Sequence, residues 1–187
     1  MTQRNSLDRW LTARNLLLVG MIAFAAASRA VPHPWNFTAV GAMALFGGAT
    51  FSSKRAAILI PLAALFAGDL SSGLYNYKLM AVVYASFLFS VAIGFLLSHR
   101  RTPVRIAGAT LAGAVQFFAV TNFAVWASGM TYPKTAAGLA ACYVAGIPFF
   151  WNTLAGDAIY ATLLFGALAL AERQFPALRE ASVAVRG

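Results

Sequence analysis

The sequence predicts an all-α integral membrane protein, a bundle of six transmembrane helices with both termini in the cytoplasm. The first observation is composition, because the chain of 187 residues is 60% hydrophobic and only 10% charged, whereas a soluble domain carries about 25% charged residues. The second is that the apolar residues fall into separate runs, most of them long enough to cross a hydrocarbon core. The length suits a single domain, residues 1–187.

Taken in order, the chain alternates apolar runs with short polar turns. A polar lead, residues 1–14, is followed by the predicted spans 16–30, 37–51, 56–70, 79–97, 106–127 and 152–171, and then by a polar cytoplasmic tail, residues 172–187. The second span is short and rich in glycine, so we expect it to be tilted or partly buried in the bundle. Residues 136–150 are apolar but end near Pro148, which predicts either a helix at the interface or half of a broken span.

The orientation follows from the basic residues, because cytoplasmic loops carry an excess of lysine and arginine. With the termini inside, eleven basic residues fall on the cytoplasmic side: Arg4, Arg9, Arg14, Lys54, Arg55, Arg100, Arg101, Arg105, Arg173, Arg179 and Arg186. Only Arg29, Lys78 and Lys134 fall outside. Topology therefore explains the net charge of +9 better than nucleic-acid binding does.

This topology places the unusual polar and aromatic side chains near the outer face. The candidates for a ligand site are Asn36, Asp69, Tyr75, Tyr77, Met80, Asn122, Trp126, Tyr132, Cys142, Phe150, Trp151, Asn152 and Asp157. A carboxylate within a span is costly unless it is paired or hydrated, so Asp69 and Asp157 favour a polar, aromatic cavity that opens outward. The alternative is packing, in which Asp69 caps a helix end and Asp157 pairs with Arg29 or an asparagine.

Two sulfur atoms are candidate metal ligands, and each has a plainer interpretation. Cys142 is the only cysteine, which excludes an internal disulfide and a cysteine-based zinc site. A buried cysteine is usually a small hydrophobic residue, although as a soft ligand it could coordinate a transition metal. Met80 could offer a thioether, but core packing is the commoner role of methionine.

A stripe of small residues marks the first span. Ala23 and Ala27 are four residues apart, and Ala30 continues the same helix. Such faces let helices approach closely, so the stripe indicates either packing within the bundle or docking of another membrane subunit.

No enzyme signature is present. The sequence contains no Walker A motif and no G-x-S-x-G, H-E-x-x-H or G-x-G-x-x-G pattern. If the protein moves a ligand against a gradient, the energy has to come from a partner or another mechanism.

Several stretches together resemble a family of small bacterial membrane proteins (DUF6580-like), over roughly residues 31–172. The stretches are Pro34-x-Asn36-Phe37-Thr-x-Val-Gly41-Ala-Met-Ala-Leu-Phe-Gly47-Gly, Asp69-Leu, Thr121-Asn122-Phe-x-Val-Trp126, Tyr132-Pro-Lys-Thr135-x-x-Gly138-Leu, Cys142-Tyr and Ile147-Pro-Phe-Phe150-x-Asn152-Thr-x-x-Gly156-Asp157. That family is similar to the substrate-binding S-components of energy-coupling-factor (ECF) vitamin transporters. Within these, the sequence is most similar to the BtuM-like vitamin B12 uptake proteins.

The resemblance implies a specific function and location. It implies six helices in the bacterial inner membrane, a cobalamin site at the outer face, and an ECF coupling subunit with its ATPases as partners. The alanine stripe, Ala23, Ala27 and Ala30, would meet the coupling subunit. In BtuM-like proteins a cysteine thiolate contacts the cobalt and assists removal of the upper ligand, which here would fall to Cys142, or its place would be taken by Met80.

Three other interpretations stay open. The ligand could be another vitamin or a flat heterocycle bound by the same kind of transporter. The chain could be a membrane enzyme in which Asp69 and Asp157 act as acid and base. It could also be a structural subunit whose outer polar residues only pack.

Overall fold

The structure is a computed structural model that describes residues 12–179, the side chain of Ser72 excepted. Within this range the chain forms α-helices and short 3-10 turns, with no β-strand. The six helices are α1 (Ala13–Ala27), α2 (Val40–Thr50), α3 (Lys54–Ser72), α4 (Tyr77–Phe95), α5 (Pro103–Ser128) and α6 (Ala136–Gln174). The 3-10 turns are Ser28–Ala30, which extends α1, and Pro176–Leu178, which follows α6.

Four of these elements are long and apolar enough to cross a membrane. They are Ala13–Ala30, Tyr77–Phe95, Pro103–Ser128 and Ala136–Gln174. The predicted all-helical class is therefore confirmed for the described residues, and four elements are candidate membrane spans. Six spans with cytoplasmic termini stay a prediction, because α2 has only 11 residues and α3 is not among the four. Of the residues that set the orientation, Arg4, Arg9 and Arg186 lie outside the described part of the chain.

Hydroxyl and amide side chains determine where five of the helices begin. Thr12, Ser53, Asn76, Thr102 and Thr135 each precede a helix and accept a hydrogen bond from a backbone N–H of its first turn. These residue types satisfy donors that have no partner within the helix. Helix α2 is the exception, because its N-cap is Ala39, whose methyl side chain cannot accept a hydrogen bond.

Helix α2 is the centre of the bundle. Its residues from Ala42 to Thr50 are all buried, and the other five helices pack around it. Its contact with α4 is backbone to backbone, since a Cβ added at Gly48 would lie 3.0 Å from the Cα of Gly94. On another side Phe46 packs edge-on against Phe165 of α6, with ring centroids 5.2 Å apart. The expectation that the second apolar run is partly buried in the bundle is confirmed.

The chain reaches α2 through irregular backbone. The helix predicted over 37–51 begins only at Val40, and residues 32–39 form turns and extended structure. Asn36 has a φ of 62°, the only non-glycine residue with positive φ in the described range. Thr38 lies directly against Gly156 of α6, where a Cβ would come within 2.9 Å of the Thr38 backbone. The segment is held by contacts that depend on the tertiary fold.

The prediction that residues 136–150 form a separate element is wrong, because α6 runs without interruption from Ala136 to Gln174 with Pro148 inside it. Proline removes one helical hydrogen bond, but packing against a neighbour compensates for this loss in membrane helices. Here the first half of α6 packs on α5, where the Tyr143 hydroxyl donates to the Ala119 carbonyl at 2.7 Å. The 39 residues of α6 correspond to about 58 Å, so this helix is longer than a hydrocarbon core of about 30 Å is thick.

Candidate functional site

The ends of the bundle differ in chemistry. At one end, called the basic end here, Glu172 pairs with Arg14 and lies 3.7 Å from Arg101. At the opposite end, called the aromatic end, α1 finishes beside the last turns of α3, and the large side chains of Trp35, Tyr77 and Trp151 are exposed. Because successive helices run back and forth between these ends, the predicted site residues collect toward the aromatic end.

A buried carboxylate joins three helices at the aromatic end. Asp69 of α3 is 4% exposed. Its Oδ1 accepts a hydrogen bond from Arg29 Nη2 at 3.0 Å, and its Oδ2 accepts one from the Tyr84 hydroxyl at 2.9 Å. The sequence did not single out Tyr84; the only signal was a tyrosine two turns inside the apolar run of α4. Asp69 is thus fully engaged in holding α1, α3 and α4 together.

Tyr75 lies beside this cluster, in the turn between α3 and α4. Burial raises the pKa of its hydroxyl above the ordinary value of 10.0, and the nearby carboxylate of Asp69 raises it further. Its ring is nevertheless 43% exposed. A neutral phenol at the mouth of the cluster can donate to a ligand as well as accept from it.

The second carboxylate, Asp157, lies near the middle of α6 and caps the central helix. Its Oδ1 accepts a hydrogen bond from the backbone N–H of Ala42 at 2.9 Å, in the first turn of α2. Only a glycine fits at position 41, because a Cβ there would lie 2.6 Å from Oδ1 of Asp157. A carboxylate at this position replaces the N-cap that Ala39 cannot provide and also interacts favourably with the helix dipole. No sequence pattern indicated that Gly41 and Asp157 are partners.

A small cavity adjoins this contact. It has a volume of about 10 Å³, close to that of one water-sized sphere, and its polar lining is Asp157, Ser90 and Thr110. Thr110 is 6% exposed, and its hydroxyl has no hydrogen-bond partner among the described residues. Neither Ser90 nor Thr110 was predicted from the sequence, since a hydroxyl within an apolar span is common.

Asp69 and Asp157 have separate hydrogen-bond partners on different helices. Asp69 is bound by Arg29 and Tyr84, and Asp157 by the start of α2. Neither carboxylate is hydrogen-bonded to the other, so the geometry lends no support to an acid–base pair.

Two exposed tryptophans lie on neighbouring segments at the aromatic end. Asn152 donates from Nδ2 to the carbonyl of Trp35 at 3.0 Å and so fastens the irregular segment to α6. Trp35 is 81% exposed and Trp151 is 60% exposed. The Phe150 ring packs against that of Trp151 with centroids 5.3 Å apart, and Asn36 is exposed beside Trp35. The structure therefore brings together five of the predicted site residues: Asn36, Phe150, Trp151, Asn152 and, at the next turns of α6, Asp157.

A third group links α5 to the first half of α6. Cys142 is 2% exposed and its Sγ donates to the Asn122 carbonyl at 3.3 Å. Trp126 donates from Nε1 to the Pro133 carbonyl at 3.1 Å, next to the partly buried Tyr132. The thiol is thus enclosed between two helices and does not face an open site.

The remaining predicted residues, Tyr77 and Met80, lie in the first turn of α4. Tyr77 is 74% exposed and Met80 is partly buried. No group of three His, Cys, Asp or Glu side chains that could hold a metal ion occurs between residues 12 and 179.

The alanine stripe of the first span lines a groove of about 540 Å³ between α1 and α3. Ala23, Ala27 and Ala30 form one wall, and Ala63 and Ala67 belong to the other. Arg29 and Ser71 lie at its aromatic end. The stripe is not consumed by packing within the bundle, so a further helix could approach both walls closely.

These features define the class: a helical membrane protein with a central half-length helix, an exposed aromatic end and a basic end. The chain belongs to DUF6580, described as a family of unknown function, whose model matches residues 10–178. No curated protein and no solved structure matches the chain.

Proposed function

We propose that this protein is the substrate-binding membrane component of a vitamin uptake system and that cobalamin is the ligand. The observation that carries the proposal is that two exposed tryptophans, Trp35 and Trp151, lie on chain segments that a side-chain hydrogen bond joins. Both rings are largely exposed, yet the segments that bear them are tied together by Asn152. Interfacial tryptophans are common in membrane proteins, but here a hydrogen bond joins the two segments that bear them, which keeps both exposed rings at the same end of the bundle, where a flat ligand could stack on them.

The amide and phenol groups nearby suit the periphery of a corrinoid. Asn36 and Tyr77 are exposed at the same end, and Tyr75 lies beside the Asp69 cluster. Asparagine can both donate and accept, which matches ligand amides. These groups would orient the ring while the tryptophans cover its apolar face. Asn122, Trp126 and Tyr132 lie at the α5–α6 junction and would form the far wall.

The two sulfur atoms are not equally placed for contact with cobalt. Cys142 is buried and donates to Asn122, so it could reach a ligand only if α5 and α6 separated. Met80 is partly buried in the first turn of α4 and needs no such movement. The geometry supports Met80 over Cys142 as the sulfur nearer a bound corrinoid, and cysteine-assisted removal of the upper ligand would require opening of the bundle.

The groove between α1 and α3 suits a membrane partner. Its walls of small residues, including Ala23, Ala27 and Ala30, would admit a helix of an ECF-type coupling subunit. Such a partner, with its ATPases, would supply the energy that no motif of this chain provides.

The test is co-purification. The protein is isolated from cells supplied with cobalamin, and its visible spectrum is compared among the wild type, Cys142→Ala and Met80→Ala. A corrinoid band in the wild type supports the ligand class, and a spectral change in Met80→Ala alone supports thioether contact. A band that is indifferent to both substitutions retains the corrinoid without a sulfur ligand. A folded wild type without any band would contradict cobalamin and direct the search to smaller vitamins.

A further inference from the structure

The basic end holds a pocket that the proposed vitamin site does not use. Its volume is about 250 Å³, and it is lined by Arg101, Glu172 and the apolar side chains of Ile106, Phe165, Leu168 and Ala169. It lies between the start of α5 and the last turns of α6, at the opposite end of the bundle from Trp35 and Trp151.

Two arginines share a single carboxylate beside this pocket. Glu172 Oε1 lies 2.7 Å from Arg14 Nη1 and 3.7 Å from Arg101 Nη2. The side chains are only 11% and 22% exposed for Arg14 and Arg101. Among residues 12–179, two cations share this one anion, which leaves one positive charge without a counter-charge in a partly desolvated place, where it is costly unless an anion joins it.

The guanidinium groups also have hydrogen-bonding capacity to spare. Arg14 Nη2 and Arg101 Nη1 are both buried, and neither has a hydrogen-bond partner among residues 12–179. Arg14 Nη1 also donates to the Leu178 carbonyl, so the orientation of that guanidinium is fixed. Unpaired buried donors on a charged group are rare in folded proteins and commonly indicate a missing partner.

We propose that this pocket binds the phosphate of an anionic phospholipid, with an acyl chain lying along Ile106, Phe165 and Leu168. A phosphodiester carries one negative charge and several acceptor oxygens, which matches the residual charge and the free Nη1 donor of Arg101, the arginine that lines the pocket. Arginine is well suited to phosphate because its donors form a planar fork. The apolar part of the lining, which a free anion would not need, favours a lipid. Basic pockets between membrane helices are known binding places for such head groups.

The experiment measures the thermal unfolding midpoint of the full-length protein in neutral detergent micelles. Phosphatidylglycerol is titrated in, with phosphatidylcholine at the same mole fraction and inorganic phosphate as separate arms. Phosphatidylglycerol should raise the midpoint in a saturable way, and the other two should not. An equal response to phosphatidylcholine, or the full response to inorganic phosphate, would overturn the proposal.

Matched variants test the residues. Arg101→Gln should weaken the apparent affinity for phosphatidylglycerol about tenfold or more, the loss expected for one charge-assisted hydrogen bond. Glu172 keeps Arg14 as its partner in this variant, so the fold should persist. Arg100→Gln removes the same charge from an exposed neighbour that does not line the pocket, and it should leave the affinity within about twofold of the wild type, as a screened surface charge would. Equal weakening by both variants would indicate only diffuse attraction and would overturn a specific site.

Two further variants test whether the pocket must be open and whether the chain's own tail occupies it. Ala169→Phe fills the pocket without changing its charge and should abolish the phosphatidylglycerol response. Glu180 lies outside the described residues, two positions after Leu178 in sequence, and its carboxylate could fill the site instead. No lipid response in the wild type but a clear one in Glu180→Gln would assign the pocket to the chain's own tail. None of these outcomes depends on whether the protein binds a vitamin.

Discussion

The capping of α2 by Asp157 can be tested through two substitutions at one position. Asp157→Ala removes the acceptor of the Ala42 N–H, which is 2.9 Å from Oδ1 in a contact that is fully buried. An unsatisfied buried donor costs about 1–3 kcal/mol. The lost carboxylate at a helix N-terminus adds about 1 kcal/mol. We therefore expect Asp157→Ala to lower the free energy of unfolding by about 2–4 kcal/mol.

Asp157→Asn is the matched variant, because the amide keeps an oxygen that can accept from Ala42 and removes only the charge. Its loss should be about 1 kcal/mol, the dipole contribution alone. Thr162→Ala serves as the control, since this exposed hydroxyl bonds within its own helix, to the Ala158 carbonyl. It should change stability by less than about 0.5 kcal/mol.

The assay is reversible unfolding in mixed micelles of a mild detergent and dodecyl sulfate, followed by far-ultraviolet circular dichroism. If Asp157→Asn is as damaging as Asp157→Ala, capping does not explain the burial of this carboxylate. If Asp157→Ala is as stable as the wild type, the described contact contributes nothing to the fold. A variant Asp157→Asn that stays folded but loses its ligand would show that the charge serves binding in addition to capping.

Other contacts lead to further predictions. Gly48→Ala should destabilise the protein by about 1–3 kcal/mol, because the added Cβ meets the backbone of α4. Gly166→Ala is the control and should leave stability unchanged, because nothing lies within 4 Å of its added Cβ. Equal effects of the two variants on the unfolding midpoint would contradict the backbone contact. Arg29→Ala leaves the buried Asp69 with one partner and should lower the free energy of unfolding by about 3 kcal/mol. Adding Asp69→Asn to this variant should restore much of the loss. If the double variant is no more stable than Arg29→Ala, the ion pair does not explain the effect. Tyr75 should lose its proton at a higher pH than an ordinary tyrosine does, because burial and Asp69 raise its pKa. Its contribution to stability is therefore present below pH 10.0 and is lost as the pH rises through the pKa of the folded state. An ultraviolet titration that finds Tyr75 ionising at the ordinary pH, by difference from Tyr75→Phe, would be against this assignment.

Local signals in the sequence predicted most of the helices and their order. Alternation of apolar runs with polar turns located α1, α3, α4 and α5 to within a few residues. The N-caps of these helices are local as well, since residues such as Ser53 and Thr102 bond to their own helix. The burial of the second run was also predicted, from its glycines and its shortness. These features depend on neighbours in sequence, so they can be recognised without a fold.

The features that were missed or misjudged depend on tertiary contacts. Pro148 indicated a break, but α6 packs on α5 on both sides of the proline, through Tyr143 before it and Phe150 after it. The packing interpretation anticipated that Asp69 and Asp157 would have structural partners, yet Arg29 was assigned to Asp157 and binds Asp69 instead. No pattern could show that Asp157 caps α2, because its partner is a backbone N–H of Ala42, 115 positions away in sequence.

The candidate site was predicted as a group of residue types, and the structure shows how differently they are placed. Trp151 is exposed beside Asn152, which holds the backbone of Trp35, whereas Cys142 is enclosed. A sequence reveals that a cysteine is present, but its access depends on how α5 and α6 pack.

Equilibrium binding of cobalamin to the purified, lipid-reconstituted protein tests the central claim most directly. Cobalamin is titrated against the wild type and against Trp35→Ala/Trp151→Ala, with Phe24→Ala, an exposed aromatic side chain on α1, as the control. We expect saturable one-to-one binding that the double variant loses and the control keeps, with helicity unchanged in all three. A folded wild type that binds no cobalamin, or binding that survives loss of both tryptophans, would contradict it.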